Sequence, residues 1–183
     1  MIRFFDIIFS LLGIMLTSPI LLIIYLVGTF DTGSALFYQK RMGKYQKPFT
    51  LIKFRSMSQN AISVPTHLME SSKITNFGLF LRKTKLDELP QLWNVLVGDM
   101  SIVGPRPGLC DHEELILIRA KYKIFDVRPG ITGLAQVESI DMSTPMLLVE
   151  KDAKMIAEFS IYNYFKFIFI TIIGNGRGDQ IKN

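Results

Sequence analysis

Residues 7–30 carry no charged side chain, an apolar run longer than the roughly 20 helical residues that cross a bilayer. No small-residue cleavage site follows it, which argues against a removable signal peptide. Ser18-Pro19 falls in the middle. Proline lacks the backbone donor and clashes one turn back, so a kink is expected there, with the Ser18 hydroxyl able to satisfy part of the freed backbone. Two readings stay open: a kinked helix that spans the membrane, or a helix-break-helix that dips in and returns to the same face. Arg3 before the run and Lys40, Arg41, Lys44 and Lys47 after it put basic residues on both flanks. Under the positive-inside rule that favours a hairpin with both ends cytoplasmic.

Beyond the apolar run the pattern shortens. Residues 36–39 and 49–54 are brief apolar or alternating runs on either side of a polar, glycine-containing connection, which reads as a β-hairpin. Its second strand delivers Lys53 and Arg55 to one face, two residues apart. Residues 58–72 are polar and aperiodic, a loop in which His67 is incidental. A helix over 76–84, capped by Asn76, turns Phe77, Phe80 and Leu81 inward and leaves Arg82 off that side.

Residues 85–107, KLDELPQLWNVLVGDMSIVGPRP, join two adjacent carboxylates to a short amphipathic helix and an arginine-bearing loop. Pro90 is tolerated only in the first turn, so the helix is predicted to start near Asp87, with Glu88 just inside. Leu89, Leu92, Trp93 and Leu96 recur at i, i+3, i+4, i+7 as a stripe expected to be buried, and Asp87, Gln91 and Asn94 share the other face. Gly98 supplies the C-cap. An Asp-Glu pair at a helix start is ordinary capping chemistry on its own. Its basic neighbours add to it. Arg106 in Gly104-Pro105-Arg106-Pro107 and Arg128 in the VRPG turn both precede proline, which holds each on extended backbone and orients its guanidinium for bidentate contact with phosphate. Two such sites suggest a polyphosphate-like ligand.

The remainder predicts a helix over 108–122 with an acidic first turn at Asp111, Glu113 and Glu114. A charged helix over 150–158 carrying Asp152 follows, and then an aromatic segment over 159–173. That last segment is short for a span and fits an interfacial helix lying along lipid headgroups, with a buried core helix as the alternative.

Composition narrows the class. The chain has 183 residues, 49% of them hydrophobic, and a formal charge of +5, with a mean hydropathy of +0.28. Apolar and basic together point to a membrane surface or anionic ligands rather than a free cytosolic protein. The single cysteine, Cys110, excludes an internal disulfide and suits a reducing compartment. No repeat, Walker loop, GxGxxG or Cys/His zinc spacing is present. The interleaved basic-aromatic helix of a nucleic-acid reader is also missing, so nucleic acid is not an expected partner.

Five stretches in order, KFRSM from Lys53, LDELPQLWNVL from Leu86, GDMS from Gly98, VGPRP from Val103 and VRPGITGLAQV from Val127, closely resemble the bacterial sugar transferases, the monotopic polyprenyl-phosphate phosphoglycosyl transferases. The resemblance runs from the N-terminal apolar segment to about residue 173. It implies transfer of a phosphosugar from a UDP-sugar to undecaprenyl phosphate with release of UMP, through attack of Asp87 on the β-phosphate. It also implies Glu88 as a second catalytic carboxylate holding Mg²⁺, and phosphate contacts from Lys53, Arg55, Arg82, Arg106 and Arg128. Ser18-Pro19 becomes the break of a re-entrant membrane hairpin on the cytoplasmic face of the bacterial inner membrane. Residues 138–149 depart from the family's commoner ending, which bears on sugar specificity rather than on the chemistry.

The expectation is therefore an α/β, mostly helical monotopic membrane protein. Residues 1–30 form the membrane hairpin, 31–175 a catalytic domain with interfacial helices, and 176–183 a flexible tail. Membrane lipid is an expected partner, and a homodimer stays open. The rival reading is a non-catalytic membrane-surface module that binds anionic lipid.

Overall fold

The computed structural model describes residues 1–58 and 74–173. The expected loop over 58–72, with His67, falls almost wholly outside the described residues, as does the expected tail.

The apolar run is one helix, α1, Ile2–Thr32, closed by Gly33 in the left-handed conformation at φ 76°. Pro19 lies inside it without a non-helical residue on either side. The reason is local. Proline at 19 orphans the carbonyl of residue 15, and Ser18 Oγ donates to Met15 O at 2.8 Å. Thr17 Oγ1 donates to Gly13 O beside it. The helix is long and apolar enough to cross a membrane.

One stripe of α1 packs on the rest of the chain at both ends, with no buried residue between Ser10 and Ile24. Arg3 donates to Val95 O and Leu96 O, and Asp6 is 2% exposed. Gly13 lies against Leu92, a Cβ there falling 2.9 Å from its Cδ1. Ile24 packs with Phe54 and Leu81, and Gly28 lies close over Ala35. The middle is the most open part, with Met15, Leu16 and Ile20 exposed.

The hairpin forms as expected and is longer. Strands β1, Leu36–Met42, and β2, Pro48–Phe54, pair antiparallel from Leu36↔Phe54 to Met42↔Pro48. Helix α2, Asn76–Thr84, is capped by Thr75, whose Oγ1 accepts from Gly78 N at 2.8 Å, one residue before the predicted cap. Leu81 is buried, but Phe80 is exposed.

Helix α3 is Gln91–Val97, with Pro90 as N-cap and Gly98 at φ 101° as C-cap. Asp87 belongs instead to a separate 3-10 turn, Leu86–Glu88. The predicted facing of α3 holds only in part: Leu89, Leu92 and Leu96 are half-buried, but the polar face is the more deeply buried one. Asp87, Gln91, Asn94 and Val95 are buried, whereas Trp93 and Val97 are each 54% exposed. In water an exposed tryptophan beside an exposed valine would be costly. The polar stripe turns instead to the protein. Asn94 shows what that achieves: its Nδ2 donates to Thr50 O at 2.8 Å and its Oδ1 accepts from Ile52 N at 3.1 Å, pairing the helix to β2 as a strand would.

Two short strands were not foreseen. Strand β3, Ser101–Val103, pairs parallel with β4, Gly130–Thr132. The pairing stacks the Gly104 and Gly130 backbones so closely that a Cβ on Gly130 would lie 2.0 Å from Gly104 N. Side chains have no room at that crossing. Helix α4 is Glu113–Lys121, shorter than the expected 108–122 but with the acidic first turn. Helix α5, Leu134–Val137, follows β4. Helix α6, Pro145–Ala157, starts earlier than predicted because Pro145 can occupy a first-turn position. Helix α7, Ile161–Ile172, lies within the aromatic segment. It buries Tyr164 and Phe167 and exposes Tyr162, Phe169 and Ile172. Asp6 ties α1 to two other elements: its Oδ1 accepts from Ser101 Oγ at 2.9 Å, Ile102 N at 3.0 Å and Tyr164 Oη at 2.9 Å. Burial, with Asp6 beside it, pushes the Tyr164 phenol well above its usual range.

Candidate active site

The turn between α2 and α3 carries the two carboxylates. Lys85 sits in the left-handed region at φ 59°, uncommon for a residue with a Cβ, and there the chain leaves α2 to start the 3-10 turn. Asp87 is 6% exposed. Glu88 accepts from Arg106 Nη2 at 3.1 Å. Lys85 belongs to the same charge group. Burial lowers its ammonium pKa, Glu88 raises it, and Arg106 lowers it again. Arg82 donates from Nε to the buried Ser56 Oγ at 2.8 Å, which holds α2 against the end of β2. Three cations and two carboxylates thus gather on one turn, its flanking helix and one loop.

The Arg106 loop is held from several sides. Gly104 N donates to Thr132 O and Gly130 N to Pro105 O, both at 2.8 Å, so the parallel strands grip the loop at its root. Arg41 Nη1 donates to Pro107 O at 3.2 Å, and Met42 N to Gly108 O at 2.9 Å, docking the hairpin on its far side.

The other predicted cations divide. Lys53 and Arg55 share the Phe37 ring, at 5.5 and 5.4 Å from its centroid, so the expected common face exists. Arg55 also donates to Ser34 O at 3.2 Å. Arg128 Nε donates to Gly98 O at 2.8 Å, at the C-terminal end of α3. Arg3 takes two neighbouring carbonyls there. Lys85 and Ser56 are site residues that sequence reasoning passed over. Lys85 opens the KLDELP stretch, but nothing in its spacing showed that it would face Glu88.

Among the described residues no three His, Cys, Asp or Glu side chains gather as a closed metal cage. Glu88, with Asp87 next to it in the turn, is the carboxylate that could hold Mg²⁺, an ion that takes one or two carboxylates and completes its shell with water and substrate phosphates.

These features sit in a sequence whose relatives are recognisable. Residues 1–176 match the model of the family described as bacterial sugar transferase. The chain belongs to that family. It is similar to the UDP-glucose:undecaprenyl-phosphate glucose-1-phosphate transferase of Klebsiella pneumoniae, 42% identical over 93% of this chain and 39% of the relative. The undecaprenyl-phosphate galactose phosphotransferase of Salmonella typhimurium is 34% identical over 92% of this chain and 39% of its own length. The uncharacterized sugar transferase EpsL of Bacillus subtilis is 36% identical over 93% of this chain and 84% of its own. The chain thus spans about two fifths of the first two relatives and most of the third.

Proposed function

We propose that this sugar transferase moves a phosphosugar from a UDP-sugar to undecaprenyl phosphate, yielding undecaprenyl-diphosphate-sugar and UMP, as the first membrane step of a glycoconjugate synthesis. The observation that carries the reading is the carboxylate turn: a buried Asp87 beside a Glu88 fixed by Arg106, with Lys85 in the same group. Cations so placed would neutralise a diphosphate, each charge-assisted contact contributing about 1.5–3 kcal/mol. The names of the relatives supply the donor and acceptor classes.

In the proposed course an Asp87 oxygen attacks the β-phosphorus, the bond from that phosphorus to the bridging oxygen breaks, and UMP leaves with the electron pair. An oxygen of the lipid phosphate then attacks the same phosphorus, and the Asp87 carboxylate is released. One transfer becomes two displacements, as nucleophilic catalysis allows. Arg106, Arg82, Lys53 and Arg55 position phosphates. We assign Arg128 to architecture, because its Nε is spent on the α3 carbonyl. When bound by Glu88, with Asp87 beside it, Mg²⁺ would neutralise phosphate charge.

The membrane arrangement follows from the packing of α1. Its start touches α3 and β3, and its end touches β2 and α2. A helix crossing the bilayer would carry these two ends to opposite faces, roughly 27 Å apart for 18 residues. Both meet one body of protein, which supports a re-entrant α1, bent rather than broken at Pro19, with its exposed middle deepest in lipid. The exposed apolar sides of α3 and α7 would then lie at headgroup height on the cytoplasmic side, where a lipid phosphate is found.

The test is transfer by the full chain in lipid nanodiscs with Mg²⁺, undecaprenyl phosphate and a panel of UDP-sugars. UMP release beyond one equivalent per chain, sustained only when the lipid acceptor is present, is expected for at least one donor. Lipid binding with no release across the panel would favour the non-catalytic membrane module instead.

A further inference from the structure

Behind the Arg106 loop lies a buried ion pair that the proposed chemistry does not use. Arg119 on α4 is 2% exposed and Asp152 on α6 is wholly buried. Arg119 Nη2 donates to Asp152 Oδ2 at 2.7 Å, and its Nη1 donates to the backbone carbonyl of Arg106 at 2.8 Å. Gly108 of the loop also lies next to this guanidinium, a Cβ there falling at ordinary contact distance, 3.5 Å, from Nη1. One side chain thus joins α6, α4 and the residue whose own guanidinium holds Glu88.

As a device for stability the pair is poorly made. Arg119 Nε and Asp152 Oδ1 are buried without a hydrogen-bond partner among the described residues. Buried ion pairs of that kind are commonly matched or bettered by apolar residues of similar volume. Apolar residues could not donate to the Arg106 carbonyl. The donor is also fixed in two dimensions, since the planar fork reaches the carboxylate with one nitrogen and the loop with the other.

We propose that Arg119, set by Asp152, is a positioning residue that fixes the backbone of Arg106 and thereby aims its guanidinium at Glu88 and the donor phosphates. The consequence for turnover rests on the transferase reading, whereas the order of the loop does not.

The deciding variant is Arg119→Met/Asp152→Leu in the full chain in nanodiscs, beside wild type, Arg106→Ala and the triple variant. Loop order is read by hydrogen exchange of peptides covering residues 101–109, and turnover with UDP-glucose and UDP-galactose as donors. The apolar swap is expected to melt no lower than wild type, to exchange faster at 101–109, and to lose kcat/KM by about 10- to 100-fold. In the Arg106→Ala background the same swap should change kcat/KM by less than about twofold, because both changes remove one function. Wild-type exchange and turnover in the folded swap, or losses that multiply, would overturn the proposal. Arg119→Lys gives an independent reading if the swap does not fold. It keeps the charge but not the fork, so the folded Lys variant should show raised loop exchange and reduced turnover, and wild-type values for both would overturn the proposal. If wild type turns over neither donor, the transferase reading for those sugars fails while loop exchange still decides the positioning.

Discussion

The two ends of α3 use arginine in opposite ways. At the N-terminal end the side chain of Arg106 meets the Glu88 carboxylate, with Lys85 alongside and Asp87 buried next to it. At the C-terminal end Arg128 and Arg3 meet backbone carbonyls, the orphan acceptors that every helix leaves there. The seven residues between span roughly 10 Å. Arg106 and Arg128 both precede proline and both lie on loops rooted in the β3–β4 crossing. Local sequence lends both the same stiff backbone, and only the tertiary partner separates a cation paired with Glu88 from a helix cap.

The sharpest way to break that contrast is at the carboxylates. Asp87→Asn should lower transfer by about 10³-fold or more, since the isosteric amide cannot act as nucleophile. Transfer within tenfold of wild type would rule out Asp87 as that group.

Next in size is a dependence on pH that originates behind the Arg106 loop. Burial raises the Asp152 carboxyl to about 6, with Arg119 pulling it down. A folded pKa above the unfolded value means that the folded chain binds this proton more tightly. The group's contribution to stability is therefore full below about pH 4 and declines as pH rises to 6, by something on the order of 3 kcal/mol. Asp152→Asn should flatten that part of the curve, seen as a smaller change in unfolding free energy between pH 4 and 6 than in wild type. An equal or steeper decline in the variant would refute it.

Arg106→Ala should then reduce kcat/KM by about 10- to 100-fold, the value of one lost charge-assisted contact, while leaving the melting temperature nearly unchanged. Smallest is Arg128→Ala, expected to reduce stability by about 0.5–1.5 kcal/mol and turnover only in proportion to the folded fraction. An Arg128→Ala enzyme that is fully folded yet loses turnover as Arg106→Ala does would erase the distinction between the two ends. Topology can be probed in the same spirit. In a Cys110→Ser background, a cysteine introduced beyond residue 1 should be labelled from the cytoplasmic side, and labelling only from the periplasm would overturn the re-entrant α1.

Much of this was legible from residue order. The hairpin, the Gly98 cap, the acidic start of α4 and the aromatic α7 follow from local chemistry, and the five motif stretches resemble one family. The facing of α3 was only partly legible: its polar face is buried because β2 offers Asn94 backbone partners at Thr50 and Ile52, which residue order alone does not show. The local remedy at Pro19 was legible too, since Ser18, one residue earlier, donates to the Met15 carbonyl that the proline orphans. Nothing in three-residue strands announces a parallel pair, so the crossing that brings Gly104 onto Gly130 was invisible. Asp6 was hidden too: a lone acid at the start of an apolar helix gives no sign that Ser101, Ile102 and Tyr164 will converge on it.

The central claim is that the N-terminal end of α3 carries a covalent transfer. Intact mass of the purified chain, incubated with Mg²⁺ and a panel of UDP-sugars without lipid acceptor, tests it directly beside Asp87→Asn. A phosphosugar adduct on wild type alone, matched by UMP release, is the predicted result and would name the sugar. Acceptor-dependent UMP release from a chain that never gains mass with any donor would contradict the covalent Asp87 step.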